Sequence, residues 1–411
     1  MASLADQSLV PHPAPAGARR RALINKALAG AWKNGRLSKP KLEPGSLVAT
    51  AREISQLDDF GAEMGWRIRL EQLCRALHDT ASLNPLGITL AYGQIISALL
   101  HRLRANALWM RYPQILSLRI PPPILIIGQM RSGSTRMQRL LACDPAFAHT
   151  RFFESWNPIP AKPHSFPDER ILKSWIALQV AHFLNPEFKA IHPASACLAD
   201  EEIGFHNYSF YGSALEAQWR IPAFARHCEN AGNEDVYREF KQLLQTILWL
   251  RGSAPEKSWV LKVPQFSQDL GALLSVFPRA KVIILDRDPA DVVGSSASLV
   301  YNQMLLQSGA ADRAWIGREW LRKSLLRQRI MDGFRQQAGS SCIVIDYRTM
   351  QDDWRTGMKA VYGFFGLPLT DKVQRRMTDF IGRSSRLELH RHRYDLTDYG
   401  LTATQIREAF A

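Results

Sequence analysis

The chain has 411 residues, 46% of them hydrophobic and 22% charged, an ordinary soluble composition long enough for one large α/β domain with helical additions or for two domains. Its formal net charge of +14 favours polyanions, anionic nucleotides or anionic membrane surfaces as partners without choosing among them. Five scattered cysteines (Cys74, Cys143, Cys197, Cys228 and Cys342), odd in number and never in C-x-x-C spacing, argue against a zinc site or a disulfide framework and fit a reducing, cytoplasmic setting.

Residues 1–45 read as a flexible basic entry segment: Met1–Gly17 is rich in Pro and Ala, and Arg19-Arg20-Arg21 follows without the apolar stretch of a secretory signal. From Leu47 to Arg111 apolar residues recur at three- and four-residue spacing, which predicts a helical N-terminal region over 46–120. The weakly polar stretch Leu83–Leu100 holds Asn84, Pro85, Gly87, Gly93 and Gln94, so a buried or substrate-lining helix pair is expected there and not a membrane span. Pro121-Pro122-Pro123 marks the switch to strand. Short β-branched runs at Ile124–Ile127, Trp259–Leu261, Lys281–Leu285 and Cys342–Ile345 predict four strands, and Phe147–Phe153 is a candidate fifth. Helical stretches separate most of them, which predicts an α/β fold over 121–411: a P-loop-type parallel β-sheet flanked by helices. A helical, aromatic-rich insertion over 158–252 falls where such folds shape a substrate pocket.

The loop after the first strand has the frame G-x-x-x-x-G-x-T, from Gly128 through Gly133 to Thr135. It matches a phosphate-binding loop except that Ser134 stands where an ATP- or GTP-binding loop carries Lys. Glycines let backbone turn closely around an oxyanion, and the N–H groups and dipole of the following helix favour negative charge. Ser132, Ser134 and Thr135 add hydroxyls, while Arg131 and Arg136 add planar donor forks suited to phosphate or sulfate. A plain strand-to-helix turn capped by Ser and Thr is the blander explanation.

A second constellation lies in Trp259–Leu299. One strand ends at Lys262; the next ends at Arg287-Asp288-Pro289, with Pro289 where a helix begins and Ser295 about two turns into it. Asp288 and Asp291 suit a helix start, which leaves Arg287 and Ser295 unexplained except as a second anion grip.

On these residues the chain resembles a bacterial-type sulfotransferase that uses 3′-phosphoadenosine 5′-phosphosulfate (PAPS). Gln129–Thr135 resembles the 5′-phosphosulfate loop of that family, with Arg131 as its basic residue, and Arg287 with Ser295 resembles its 3′-phosphate site. FPRAKVIILDRDPADVVGSSASL is especially similar; Asp346-Tyr347-Arg348 followed by YGFFGLPL, and His392–Leu396 through Tyr399–Leu401, extend the match from Pro121 to Leu401. The resemblance implies PAPS as co-substrate, no required metal, and PAPS or its product PAP held by Arg131, Ser132, Gly133, Ser134, Thr135, Arg136, Arg287, Ser295 and Tyr347. It implies in-line sulfuryl transfer to a hydroxyl or amine, with Arg131 and Lys262 steadying charge; a surface Lys beside a strand is the alternative for Lys262.

Many members of the family carry a His shortly after that Lys, but here Pro264, Gln265 and Phe266 occupy those positions. Glu154, among Phe152, Phe153 and Trp156, is the substitute base, with a capping or salt-bridging role as the alternative; His192, His206 and Asp200-Glu201-Glu202 are in reserve. A P-loop nucleotide kinase or NTPase is a rival reading: Leu285-Asp286 supplies its carboxylate, but its Lys is absent. A non-enzymatic nucleotide- or nucleic-acid-binding protein needs a basic stripe; Arg318, Arg322, Lys323, Arg327 and Arg329 share one predicted helix, whose Glu319 and leucines suit an ordinary solvated amphipathic face. No nucleic-acid partner is therefore expected. The acceptor is a small molecule, lipid or glycan, for which Trp175, Phe183, Phe188, Phe205, Tyr208, Phe210 and Tyr211 offer either an aromatic lining or core packing.

Overall fold

Four short apolar runs assemble into one sheet, as expected: β1 (Ile124–Gly128), β2 (Val260–Lys262), β3 (Lys281–Asp286) and β4 (Cys342–Asp346), all parallel and in the order β2-β1-β3-β4. The computed structural model describes residues 17–62, 64–188, 193–252, 256–385 and 394–411. Each central strand is apolar on both sides because helices cover both faces of the sheet. Leu125, Ile127, Leu261, Val282 and Ile284 pack with the helix Glu234–Arg251 on one face; Ile124, Ile126, Val260, Ile283, Leu285 and Ile345 pack with the helices Ser134–Leu141 and Trp354–Phe365 on the other. The chain leaves β1 toward β2 on one side, then crosses to β3 and β4 on the other. The C-terminal ends of β1 and β3 therefore flank a topological switch point, where open α/β sheets bind ligands.

Phe147–Phe153 is not a fifth strand. Ala148 makes one isolated parallel bridge to Trp259, and a helix starts at Phe152, where the Glu154 carboxylate accepts from the Arg151 N–H. Phe147, Phe152 and Phe153 are buried as core side chains, so the aromatic run reflects packing.

The N-terminal region supplies α1 (Ala18–Lys33), α2 (Pro44–Ser55), α3 (Gly65–Asp79) and α4 (Pro85–Arg111). Residues 18–33, inside the stretch expected to be flexible, are helical because Arg20 and Arg21 donate to the carbonyls of Phe183 and Leu184 and seat α1 on the insertion. Residues 85–100 belong to one continuous 27-residue helix, not a helix pair. Asn84 caps it by accepting from the Gly87 N–H, and Gly87 lies so close to Gln307 that a Cβ there would sit 2.0 Å from its carbonyl oxygen. Among the described residues no helix is long and apolar enough to cross a membrane.

The helix Arg313–Gln337 departs from a solvated basic face. Arg318 and Arg329 are exposed, but Lys323 and Arg327 are buried. Lys323 Nζ donates to Glu216 at 2.6 Å and to Glu229 at 2.9 Å, and Arg322 also pairs with Glu229. Carboxylates about a hundred residues upstream draw this face inward and lock the insertion to the sheet domain. The aromatics of the insertion divide in two: Phe205, Tyr208, Phe210 and Tyr211 are core, whereas Trp175 and Phe183 face solvent.

Candidate active site

The loop after β1 is built by glycine geometry. Gly128 has φ 153°, and a Cβ there would meet Ser132 Oγ at 2.7 Å and the Leu285 carbonyl at 2.9 Å. Ser267 Oγ holds the strand end, accepting from the Gly128 N–H at 2.9 Å and donating to its carbonyl at 2.7 Å. Arg131 is left-handed at φ 71°, and Gly133, at φ 87°, is the N-cap of the helix Ser134–Leu141. No side chain caps this helix, so Ser and Thr do not fill the role of the plain-turn explanation.

Arg287, at the end of β3, donates from Nη1 to the Arg131 carbonyl at 2.6 Å, and Arg131 Nε donates to Ser295 Oγ at 3.1 Å. Loop, strand end and helix Pro289–Gln307 thus meet in one cluster. Asp288 is the N-cap of that helix, accepting from the Ala290 and Asp291 N–H groups, and Arg287 lies over the Tyr347 ring at 4.2 Å from its centroid. Tyr347 also closes against Gly133, where a Cβ would lie 2.9 Å from the ring. Arg136 reaches the same cluster through Gln351, which donates to the Tyr347 hydroxyl. Burial first, and the charge of Arg287 second, lower the pKa of the Arg131 guanidinium. Ser132 Oγ, Arg136 Nε and Arg287 Nε are buried without a hydrogen-bond partner among the described residues. Two repelling cations and three unpartnered polar atoms are the donor set an anion with several oxygens completes.

Lys262 closes the site from β2. Its side chain is 5% exposed, donates to Thr135 Oγ1 at 3.3 Å and pairs with Glu201 at 2.5 Å. Beneath it, fully buried Glu202 accepts from the Lys262 N–H at 2.7 Å. Thr150 Oγ1 lies 2.9 Å from the Asp200 carbonyl, which only accepts, and 2.5 Å from Glu202 Oε1. One hydroxyl proton serves one of these, so the other contact fits a protonated Glu202. Burial accordingly raises the Glu202 carboxyl from 4.5 to about 8.

Glu154 is placed otherwise. Its carboxylate accepts from the Arg151 N–H at 2.8 Å and pairs with Arg251, which contacts it at 2.9 and 2.5 Å. His206 is fully buried among Tyr211, Tyr237, Phe240 and Phe266, and burial lowers its pKa to about 3. His192 lies outside the described residues, as do His392 and Arg393 of the C-terminal match. Tyr394 belongs to the C-terminal match but not to the expected site residues: its ring covers Gly294, where a Cβ would sit 2.3 Å away, and its hydroxyl donates to the Asp291 carbonyl. A glycine inside an otherwise regular helix was the available signal of that close approach.

A family model described as "Sulfotransferase family" matches residues 122–371. The structure is similar to sulfotransferase STF1 from Mycobacterium tuberculosis H37Rv, at 26% identity over 89% of this chain and 98% of that one, with a TM-score of 0.76. It is also similar in fold to sulfotransferase STF9 from Mycobacterium avium, at 24% identity over 90% of this chain and 96% of that one, with a TM-score of 0.78. No curated protein sequence matches the chain.

Proposed function

From the premise that the chain belongs to the sulfotransferase family, we propose that it transfers a sulfuryl group in line from PAPS to an acceptor hydroxyl or amine. The observation that carries this reading is the convergence of Arg131 and Arg287 from the ends of adjacent strands, with Ser132, Arg136 and Arg287 atoms unpartnered among the described residues around them. PAPS has two separate anionic ends, and the site offers two adjoining grips. When bound, PAPS supplies an activated sulfuryl group with PAP as its leaving group.

Arg131, the hydroxyls of Ser132, Ser134 and Thr135, and the N–H groups of Gly133–Thr135 hold the 5′-phosphosulfate end, aided by Arg136. Arg287 and Ser295 hold the 3′-phosphate, with Tyr347 bracing Arg287. A donor without a β,γ-phosphate bridge does not need a Lys at position 134; Lys262 instead brings its charge from β2 toward Thr135, where negative charge grows as the leaving oxygen departs. For the base we assign Glu201 over Glu154. Glu201 pairs with Lys262, which reaches Thr135 of the loop, whereas Glu154 is held by Arg251 and the Arg151 N–H. Glu201 takes the proton of the acceptor hydroxyl, and Lys262 orients that carboxylate.

Thermal unfolding with added PAP or Mg·ATP tests the donor assignment. PAP at about a hundred times its Kd stabilises the folded chain by about 2.7 kcal/mol and raises its Tm. Stabilisation by Mg·ATP without any by PAP refutes the assignment.

A further inference from the structure

The helix Glu169–Leu184 carries an apolar stripe on its outward face. Arg170, Ser174, Leu178 and Leu184 are turned inward. The outward stripe carries Leu172 (59% exposed), Trp175 (54%), Ile176 (47%), Val180 (47%) and Phe183 (54%). Their spacing aligns them along one side of the helix, and nearly fully exposed Phe166 stands just before it. Soluble chains seldom leave so large a continuous apolar ridge uncovered.

A basic strip adjoins the ridge. On α1, Arg20 donates to the Phe183 carbonyl and its guanidinium lies 5.1 Å from the Phe183 ring centroid; Leu23, 69% exposed, is on the same helix. From Gly17 to Leu42 the chain has no Asp or Glu, and Arg19, Arg20, Lys26, Lys33, Arg36, Lys39 and Lys41 are all exposed.

We infer that ridge and strip together form a docking surface for an anionic phospholipid bilayer. The helix is 16 residues long, too short to span, and Trp, Phe and Leu above a basic rim are the side chains of a helix lying in the interface plane. Charge complementarity selects the occupant. Nucleic acid would satisfy the basic strip and leave the aliphatic ridge bare, and a second copy packed ridge to ridge would bring two acid-free basic strips together. The ridge is joined to the donor site: Asn185, just past the helix, donates to Asn302 at 2.6 Å, and Asn302 is on the helix that carries Ser295. Docking there brings the site to a bilayer surface. A lipid-borne acceptor follows only if the transfer reading above also holds.

The test is co-sedimentation of the full chain with vesicles of phosphatidylcholine alone or with about 30% phosphatidylglycerol. Binding to the anionic vesicles is expected, weakening as salt rises. The double variant Leu172→Asp, Ile176→Asp alters exposed residues only and should lower partitioning at least about tenfold, with circular dichroism and the PAP-induced thermal shift unchanged. A second variant, Arg19→Glu with Lys26→Glu, should lower it again while keeping the fold. Wild-type protein left in the supernatant overturns the inference. So does undiminished binding by both variants, or a dimer in light scattering that the double variant dissociates. Because PAP binding is measured separately, failure here is distinct from failure of the donor assignment.

Discussion

Replacing Arg287 by alanine probes the donor grip at its junction. The side chain is 17% exposed, its Nη1 bonds the Arg131 carbonyl at 2.6 Å, and its ion-pair partner is Asp291, half-exposed and 3.4 Å away. That pair is worth little, and the repulsion with Arg131 disappears on substitution, so the fold should lose no more than about 1 kcal/mol. Binding should lose more. A charge-assisted hydrogen bond to a phosphate contributes about 1.5–3 kcal/mol, which is roughly a 10- to 150-fold rise in the Kd for PAP. Calorimetric titration with PAP and with AMP, which lacks the 3′-phosphate, isolates the contact. Wild-type protein should prefer PAP, and Arg287→Ala should erase most of that preference while AMP binding stays within about threefold. Equal losses for PAP and AMP would refute the 3′-phosphate assignment, and no loss for either would remove Arg287 from the site.

Glu201→Gln should lower PAP release in the presence of an acceptor alcohol by about 10²–10⁴-fold with PAP affinity nearly unchanged; Glu154→Gln should keep turnover and lower Tm, since it removes the charge that pairs with Arg251, and the reverse pattern would transfer the base role to Glu154. Gly133→Ala places a Cβ against Tyr347 in a left-handed backbone, so PAP affinity should fall at least about tenfold at unchanged circular dichroism; wild-type affinity would contradict the loop geometry. Glu202 has a raised folded pKa, so the stability it contributes is present below its ordinary value of 4.5 and is lost as pH rises through about 8. In urea unfolding, Glu202→Gln should therefore gain on the wild type between about pH 5 and pH 9; a constant gap would mean that Glu202 keeps an ordinary pKa.

The strands were legible because parallel strands covered on both faces must be continuous apolar runs, and their C-terminal edge brought Arg131, Lys262 and Arg287 together. What stayed hidden depends on distant partners. Lys323 reads as a surface charge until Glu216 and Glu229 approach it, and Trp175 and Phe205 have the same aromatic character although one faces solvent and the other fills the core. Phe147–Phe153 mimics a strand because buried aromatics occur in both settings; its helix start is obscured by Arg151, an unusual N-cap residue. Glu201 stood in reserve beside Glu202, and only the fold separates them, pointing one at Lys262 Nζ and burying the other against its backbone.

The bond from Arg287 to the Arg131 carbonyl spans 156 positions of sequence. On the ribosome, the phosphate loop emerges long before the strand that completes it, and Tyr347 arrives later still. On the proposed donor reading, the two halves of the grip meet only once β3 docks beside β1. A chain cut between these two strands yields fragments that each carry half a grip. On the same reading, PAP would draw their reunion forward through mass action on the joined form, which makes this boundary a natural place to divide the protein into a ligand-reporting pair.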